Sequence, residues 1–474
     1  MIHVSIKAKA FKGGAQVAAG QVLQQGLFLA RNIVIARLLP PEQFGIALTF
    51  ITIITALDSI SDLGAEMYLI RSPDIADPRL QNTLQSILIM RSIVSALLIF
   101  VLADPIAWLF AAESAAWAYR ALAVVPLIRG FTHLDTRRFE RELLYWPGLV
   151  IKSLAAFAGL VSAIAAVLVL ESYSAILISY IVQMAVQVIG SHMVAQRPYA
   201  LGFDTRHRRE LVAFAMPLLL NSTILFLLAQ GDRLLVASAF GVRELADYGV
   251  AVVLSGGVAM LVIKTTGLVY LPILSGHKPG SAQFDRRYEI CGAITASLAI
   301  VVGAGFWTLG PSAIQFIYGD KYHAVPLLAG MLGTQATFRI FRHWQQVGYL
   351  SAGTTKRLLL TNIVSAAGPA LAAITIYFGS SIVIIAVCMA IGEVLAALAS
   401  ASAEPSSSPV IGPLRIRLFA ITAVEMSVLC AAHVFGVFPE DPVAAGLLFA
   451  VAAAGGVAMI LAAAPRARNY LFGG

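Results

Sequence analysis

Charged residues are scarce in this chain. Asp, Glu, Lys and Arg make up 12% of its 474 residues, whereas 59% are hydrophobic and the mean hydropathy is +0.83. A soluble domain normally carries about 25% charged residues, so this composition excludes a soluble globular fold. Apolar runs of about 20 residues, enough to cross roughly 30 Å of hydrocarbon, recur along the whole sequence. We therefore predict an all-α polytopic membrane protein.

Catalytic and metal-binding motifs are also missing. The sequence has no GxxxxGK[ST] loop, no nucleophile elbow and no HExxH pair. Its three cysteines, Cys291, Cys388 and Cys430, lie in apolar runs without metal-ligand spacing. The longest predicted loop, 273–289, has about 17 residues, which leaves no room for a soluble domain. We expect no enzyme activity, no catalytic residue, no cofactor and no metal.

The apolar runs predict about fourteen transmembrane helices. Lys and Arg concentrate in one alternate set of loops, and the opposite set carries only Arg37, Arg243 and Lys321. Because basic loops face the cytoplasm, both termini are predicted to be cytoplasmic. The net charge of +8 then reflects topology and attraction to membrane lipids, and no nucleic-acid partner is expected. The predicted spans are 14–37, 44–66, 82–103, 116–134, 147–170, 173–196, 212–240, 246–272, 290–317, 324–351, 358–379, 381–401, 416–437 and 443–464.

A short repeat divides the chain. "FGIA" at 44–47 recurs as "YGVA" at 248–251, each after a charged hairpin turn and an apolar stretch. Six spans separate the copies, so the two halves share one orientation and form a parallel pseudo-twofold repeat. The predicted domains are an N-terminal lobe, a C-terminal lobe, and two additional C-terminal spans with a short cytoplasmic tail. Their boundaries are 1–210, 211–401 and 402–474.

Basic and polar residues inside the spans indicate a wet cavity. Each basic residue at the centre of a span costs about 2.5–3.5 kcal/mol in lipid, and basic residues outnumber acidic ones within the spans. This excess of basic residues favours an anionic ligand. For any single basic residue, the alternative is a salt bridge between helices that neutralises its charge. Arg120, Arg129, Lys152 and Arg233 lie near span ends and can reach the interface. The predicted cavity residues are Arg31, Gln24, Lys264, Arg339, Arg342, His343 and Arg91.

Three carboxylates are candidates for ion coupling: Asp58, Glu393 and Asp232. Asp58 and Glu393 lie about halfway along spans two and twelve, where a carboxylate needs water, a basic partner or a proton. The alternative for Asp58 is a static pair with Arg31 or Arg91.

The first hairpin carries a family resemblance. "ARLLPPEQFGIALTF" at 36–50, followed by "SDLGAEMYLIR" at 61–71, resembles the opening of bacterial polysaccharide flippases of the multidrug/oligosaccharidyl-lipid/polysaccharide (MOP) exporter superfamily. The resemblance implies transfer of an undecaprenyl-diphosphate-linked oligosaccharide across the bacterial inner membrane by ion-coupled alternating access. It implies a role in lipopolysaccharide, exopolysaccharide or capsule synthesis. The implied partners are this lipid-linked oligosaccharide, a polysaccharide polymerase and the export machinery.

Three other functions remain open at this stage. A lipid II flippase of the same superfamily would share the span number and a cationic cavity. A multidrug/cation antiporter would share the architecture but should show an excess of carboxylates. A membrane polysaccharide polymerase or glycosyltransferase would need a large periplasmic loop, and the predicted periplasmic loops are the shortest ones.

Overall fold

The chain folds as a set of α-helices. The computed structural model describes residues 2–60, 64–72, 74–75, 77–323, 325–402, 411–439 and 441–472. Within these residues it has nineteen α-helices and no β-strand, so the predicted all-α architecture is confirmed. Contacts divide the chain into two compact units, Met1–Ala246 and Asp247–Gly474. The lobes drawn from the repeat, 1–210 and 211–401, stay a prediction.

The first unit contains ten helices of very different lengths. Its buried core includes Leu80, Leu84 and Leu134. The helices are α1 (Ile2–Leu38), α2 (Pro41–Ile60), α3 (Ala65–Arg71), α4 (Pro78–Leu109), α5 (Ala116–Leu122), α6 (Val124–Arg129), α7 (Asp135–Arg141), α8 (Trp146–Leu170), α9 (Ser174–Val194) and α10 (Thr205–Phe240).

The second unit begins within a long helix that starts just before the unit boundary. Its core is larger and is centred on aromatic residues such as Tyr288, Trp307 and Trp344. The helices are α11 (Val242–Ser275), α12 (Ala282–Tyr318), α13 (Pro326–Ser351), α14 (Thr355–Ser365), α15 (Ala367–Tyr377), α16 (Ile382–Ser402), α17 (Ile411–Val434), α18 (Pro442–Ala463) and α19 (Pro465–Phe472).

Capping residues fix the starts of several long helices. The Asp204 carboxylate accepts the backbone N–H of His207 at 3.0 Å, and this bond holds the pKa of Asp204 below its usual range. Ser281 caps α12 through the N–H of Phe284 at 3.2 Å, and Asp441 caps α18 through the N–H of Ala444 at 2.9 Å. These polar residues mark where apolar helices begin.

Nine helical segments of the described chain are long and apolar enough to cross a membrane. The protein is therefore a multi-pass membrane protein, and the figure of about fourteen spans stays a prediction. Helix α13 has sufficient length but is not among the nine, because Arg339, Arg342 and neighbouring glutamines lower its hydropathy. Helix α13 thus combines the length of a span with a polar stripe that carries two of the predicted functional residues.

Two predicted spans are broken by proline. Predicted span four forms α5 and α6, which are separated at Ala123, because Pro126 has no N–H to bond the Leu122 carbonyl. Predicted span eleven forms α14 and α15, separated at Ala366, where Pro369 leaves the Ser365 carbonyl unbonded in the same way. Continuous helices were expected at both places.

The two copies of the charged hairpin turn lie against each other. Arg243 donates to the Glu42 carboxylate at 2.9 Å. A Cβ atom at Gly45 would lie 1.8 Å from the Val242 carbonyl oxygen, so only glycine permits this approach. The backbone N–H of Glu42 itself, and then the Arg243 guanidinium, hold the pKa of Glu42 below its usual range. The start of α2 is thereby fixed to the turn between α10 and α11.

Candidate functional site

A basic cavity lies within the first unit. It has a volume of about 510 Å³, a size typical of small-molecule sites. Helices α2, α3, α4, α6, α7, α8, α9 and α10 all contribute to its wall. Its charged lining residues are Asp58, Glu66, Arg91, Arg129, Arg137 and Lys152. Among the lining residues that the structure describes, four cations against two carboxylates leave an excess positive charge of two.

Ion pairs join both of these carboxylates to arginines of the cavity. Asp58 pairs with Arg129, and Glu66 pairs with Arg137, which also donates to Glu140 at 2.5 Å. The predicted partner of Asp58 was Arg31 or Arg91, and the structure shows Arg129 instead. Helix α6 ends at Arg129, beside the Asp58 carboxylate.

Lys152 occupies a central place in this cavity system. It lines the 510 Å³ cavity and two neighbouring ones of about 170 and 260 Å³. Among the residues that the structure describes, no carboxylate lies within 4.0 Å of its ammonium group. Gln24 lines both smaller cavities, and Gln187 lines the largest one and the smallest. Lys152 can therefore offer hydrogen bonds to an anion that enters from any of the three.

Arg31 borders the smallest of these cavities and is held firmly. Its guanidinium donates to Gln183 at 2.8 Å, to the Tyr180 hydroxyl at 3.1 Å and to Ser179 at 3.3 Å. The same group lies 4.5 Å from the centre of the Tyr180 ring. These neutral contacts orient Arg31 without neutralising it, so its charge stays available beside the cavity.

Polar contacts outside the spans brace the cavity wall. The Tyr68 hydroxyl of α3 donates to Glu210 of α10 at 2.7 Å, and burial together with this bond raises the pKa of Tyr68 to about 12. Arg141 of α7 donates to the Ser72 carbonyl after α3. Helix α3 is thus tied on both sides, which positions Glu66 at the cavity.

A second charged group, here called the Arg–Glu cluster, lies within the second unit. Arg339 Nε lies 3.2 Å from Glu393 Oε1, and Arg342 Nη2 lies 3.0 Å from Glu393 Oε2. Asn362 accepts from Arg342 at 2.7 Å and from Gln346 at 3.2 Å. The predicted polar stripe of α13 thus converges on one carboxylate of α16. Two cations and one anion meet here in a nearly dry site.

The remaining predicted residues are dispersed. Arg91 lines the basic cavity, whereas Lys264 lies half-buried on α11 in the second unit. His343 packs against α11 at Gly267. Asp232 is buried and accepts the backbone N–H of the next residue at 2.8 Å. One common cavity for Arg31, Lys264, Arg339 and Arg342 stays a prediction, because Arg31 belongs to a different unit from the other three.

Sequence reasoning did not select Arg129, Arg137 and Lys152. Arg137 was assigned to a cytoplasmic loop, and the other two were placed near span ends. One signal for Lys152 was available. Tryptophan is typical of the membrane interface, and Lys152 follows Trp146 by six residues, which is about 9 Å further along the helix. No local pattern announced Arg137, because it reaches the cavity from the short helix α7.

Solved membrane transporters share this fold. The chain resembles a lipid II flippase in an inward closed conformation, with a TM-score of 0.71 and 13% identity over 96% of this chain and 98% of that one. It also resembles an inward-facing multidrug resistance transporter of the MATE family and MOP superfamily. There the TM-score is 0.58, with 15% identity over 86% of this chain and 95% of the other. The fold is that of MOP-superfamily transporters.

The sequence narrows this class further. The chain belongs to the polysaccharide biosynthesis protein family, whose model matches residues 34–326. A succinoglycan biosynthesis transport protein from Rhizobium meliloti is 22% identical over an alignment of 314 residues, which covers 64% of this chain and 61% of that protein. The resemblance seen in the first hairpin is confirmed. All three compared proteins are transport proteins, in line with the expectation that this chain is not an enzyme.

Proposed function

We propose that this protein transfers an undecaprenyl-diphosphate-linked oligosaccharide across the bacterial inner membrane for surface polysaccharide synthesis. Both termini face the cytoplasm in this proposal, and an ion gradient drives alternating access. Membership of the polysaccharide biosynthesis family and the MOP-type fold support it. A polysaccharide polymerase and the export machinery are the expected downstream partners.

The observation that carries the proposal is the basic cavity of the first unit. A diphosphate at neutral pH is an anion with several acceptor oxygens, and charge-assisted bonds to such groups are the strong ones. Lys152 supplies three rotatable donors beside the three cavities that it lines, and Arg31 adds an oriented guanidinium. Arg91 and Gln24 extend the polar wall. The polyprenyl chain, being apolar, can remain in the lipid.

The Arg–Glu cluster has a different role in this proposal. Arg342 and Glu393 are each less than a tenth exposed and satisfy one another, so they are poorly placed to meet a bulky ligand first. Arg339 keeps 28% of its side chain exposed. We assign Glu393 to holding α13 against α16, with Arg339 as the member that can still reach an anion.

The test is the binding of undecaprenyl diphosphate to the purified protein in nanodiscs. Lys152→Gln should weaken binding about tenfold to a hundredfold, because one charge-assisted hydrogen bond contributes about 1.5–3 kcal/mol. Lys152→Arg should retain most of the affinity. Lys278→Gln is the matched control, since Lys278 lies exposed in the turn between α11 and α12. Equal affinity of wild type and Lys152→Gln would contradict the assigned site.

A complementation experiment separates two kinds of lipid-linked cargo. The gene should restore surface polysaccharide to a strain that lacks its own polysaccharide flippase, and Lys152→Gln should not. Rescue of a strain depleted of its lipid II flippase, without rescue of polysaccharide export, would replace the proposed cargo with lipid II.

A further inference from the structure

Helix α17 carries a carboxyl group that neither the cavity nor the Arg–Glu cluster uses. Glu425 precedes the end of α17 at Val434 by nine residues, or about 13 Å of helix. It flanks the buried face formed by Leu418, Thr422, Met426 and Leu429. Its side chain is half-buried. It therefore lies well inside the predicted span 416–437 and away from both ends of α17.

The surroundings of Glu425 are apolar. A Cβ atom added at Gly456 of α18 would lie 3.3 Å from the Glu425 carboxyl carbon and 2.6 Å from Ile300 Cγ2 of α12. Because Gly456 has no side chain, the carboxyl group fits between α12, α17 and α18, a place here called the seam. Among the described residues, none donates a hydrogen bond to Glu425 and no cation lies within 4.0 Å of it.

Few titratable groups face this seam. Helix α18 has none along its whole length, and α12 has none between Cys291 and Tyr318. The charged residues of α13 and α16 in this region are those of the Arg–Glu cluster, and their other titratable groups are His343, Tyr349 and Cys388. On α17 itself the titratable neighbours are Arg415, Arg417, Cys430 and His433.

A bare carboxylate is expensive in such a place. An ionised carboxyl group moved into an apolar medium without a partner binds a proton instead of remaining charged. Arg129 pairs with Asp58, and Arg339 and Arg342 pair with Glu393. Glu425 has no such partner among the described residues. Two arginines therefore stabilise Glu393 as an anion, whereas an apolar seam without a described cation favours the neutral acid at Glu425.

We propose that Glu425 is a proton-binding site, and that protons enter the transport cycle through this residue rather than through Asp58 or Glu393. The coupling part of this proposal rests on the ion-driven transport proposed above. In the state seen here the group is a neutral acid against Gly456. A state in which α17 and α18 separate would admit water and release the proton.

The protonated state is testable on the unmodified protein. N,N′-dicyclohexylcarbodiimide partitions into lipid and reacts with carboxylic acids rather than carboxylates. The acid proton moves to one carbodiimide nitrogen, the carboxyl oxygen bonds to the central carbon, and a shift of the acyl group to nitrogen gives a stable acylurea without a leaving group. Peptide mass spectrometry should find this adduct on Glu425 in proteoliposomes at neutral pH, and its formation should slow as the pH rises.

Glu393 is the internal control for this labelling. It lies inside the same unit and is more deeply buried, but its two arginines keep it ionised, so it should stay unlabelled. Glu425→Gln should abolish the adduct without creating another. Absence of the adduct on Glu425, or equal labelling of Glu393, would overturn the proposed proton site.

Transport measurements test the coupling. Glu425→Gln should bind undecaprenyl diphosphate with an affinity within about twofold of the wild-type value. Its uptake in response to an imposed pH gradient should be at least tenfold lower than that of wild type. Unchanged stimulation in Glu425→Gln would refute coupling through this residue. If wild-type transport does not respond to the pH gradient while Glu425 is still labelled, the coupling part of this proposal fails and the proton site stands without a coupling role.

Discussion

Replacing Glu393 by glutamine should destabilise the protein strongly. The carboxylate side chain is 5% exposed and Arg342 is 8% exposed, so neither can turn to water when its partner is lost. Removal of one partner from a buried pair costs about 3–5 kcal/mol. Arg339 and Arg342 would also be left as like charges around a neutral amide. We expect a loss of free energy of unfolding in the upper part of that range.

The assay is reversible unfolding of the purified protein in mixed micelles, read together with its level in the membrane. Asp58→Asn is the matched control, because it also turns an arginine-paired carboxylate into its amide. Arg129 is 40% exposed and Asp58 is 30% exposed, so solvent screens that pair and its loss should cost at most about 1 kcal/mol. The two variants should therefore differ by several kcal/mol.

A double variant decides between a static pair and a proton relay. Glu393→Gln combined with Arg342→Gln removes one carboxylate and one cation, and it should recover a substantial part of the lost stability. A Glu393→Gln protein that is as stable as wild type but fails only in gradient-driven transport would refute the structural role argued here. It would also restore Glu393 as the coupling residue in place of Glu425.

Two further predictions concern the paired hairpin turns. Gly45→Ala should cost roughly 1–3 kcal/mol of stability, because its methyl group meets the Val242 carbonyl. Gly26→Ala, in the open part of α1, is the control and should be neutral or stabilising in the same unfolding assay. Equal effects of the two substitutions would show that the contact at Gly45 does not matter. Because the folded pKa of Glu42 lies below its usual value of 4.5, the stability it contributes is present above pH 4.5 and is lost as the pH falls through the folded value. Arg243→Gln should shrink this acid-induced loss when the unfolding midpoint is followed from neutral pH downward, and an unchanged pH profile would show that the pair contributes nothing.

The sequence predicted the helical membrane architecture and the first hairpin well. Those features depend on local composition, since Pro40 and Pro41 must end a helix wherever the rest of the chain lies. Proline alone does not locate the breaks at Pro126 and Pro369, because α4, α11 and α12 each continue past an internal proline. Both were missed because apolar length outweighed proline in the interpretation of those spans.

The arrangement of charges was harder to predict, because it depends on contacts between distant segments. The stripe of Arg339 and Arg342 on α13 was recognised from its spacing, and Glu393 was recognised as a carboxylate that needs a partner. That they satisfy one another follows only from the packing of α13 on α16. Lys152 shows the opposite error, since a position near a span end can face a cavity instead of the interface.

The pairing of α13 with α16 has a consequence for how the chain is made. Arg339 and Arg342 together would cost about 5–7 kcal/mol in lipid if α13 entered the bilayer alone. Glu393 follows Arg342 by 51 residues, so at about 5–20 residues per second it is synthesised roughly 3 to 10 s later. During that interval α13 has no carboxylate from α16 to neutralise it. We expect a nascent chain that stops before α16 to leave α13 outside the hydrocarbon, so that insertion of this helix awaits translation of the one that neutralises it.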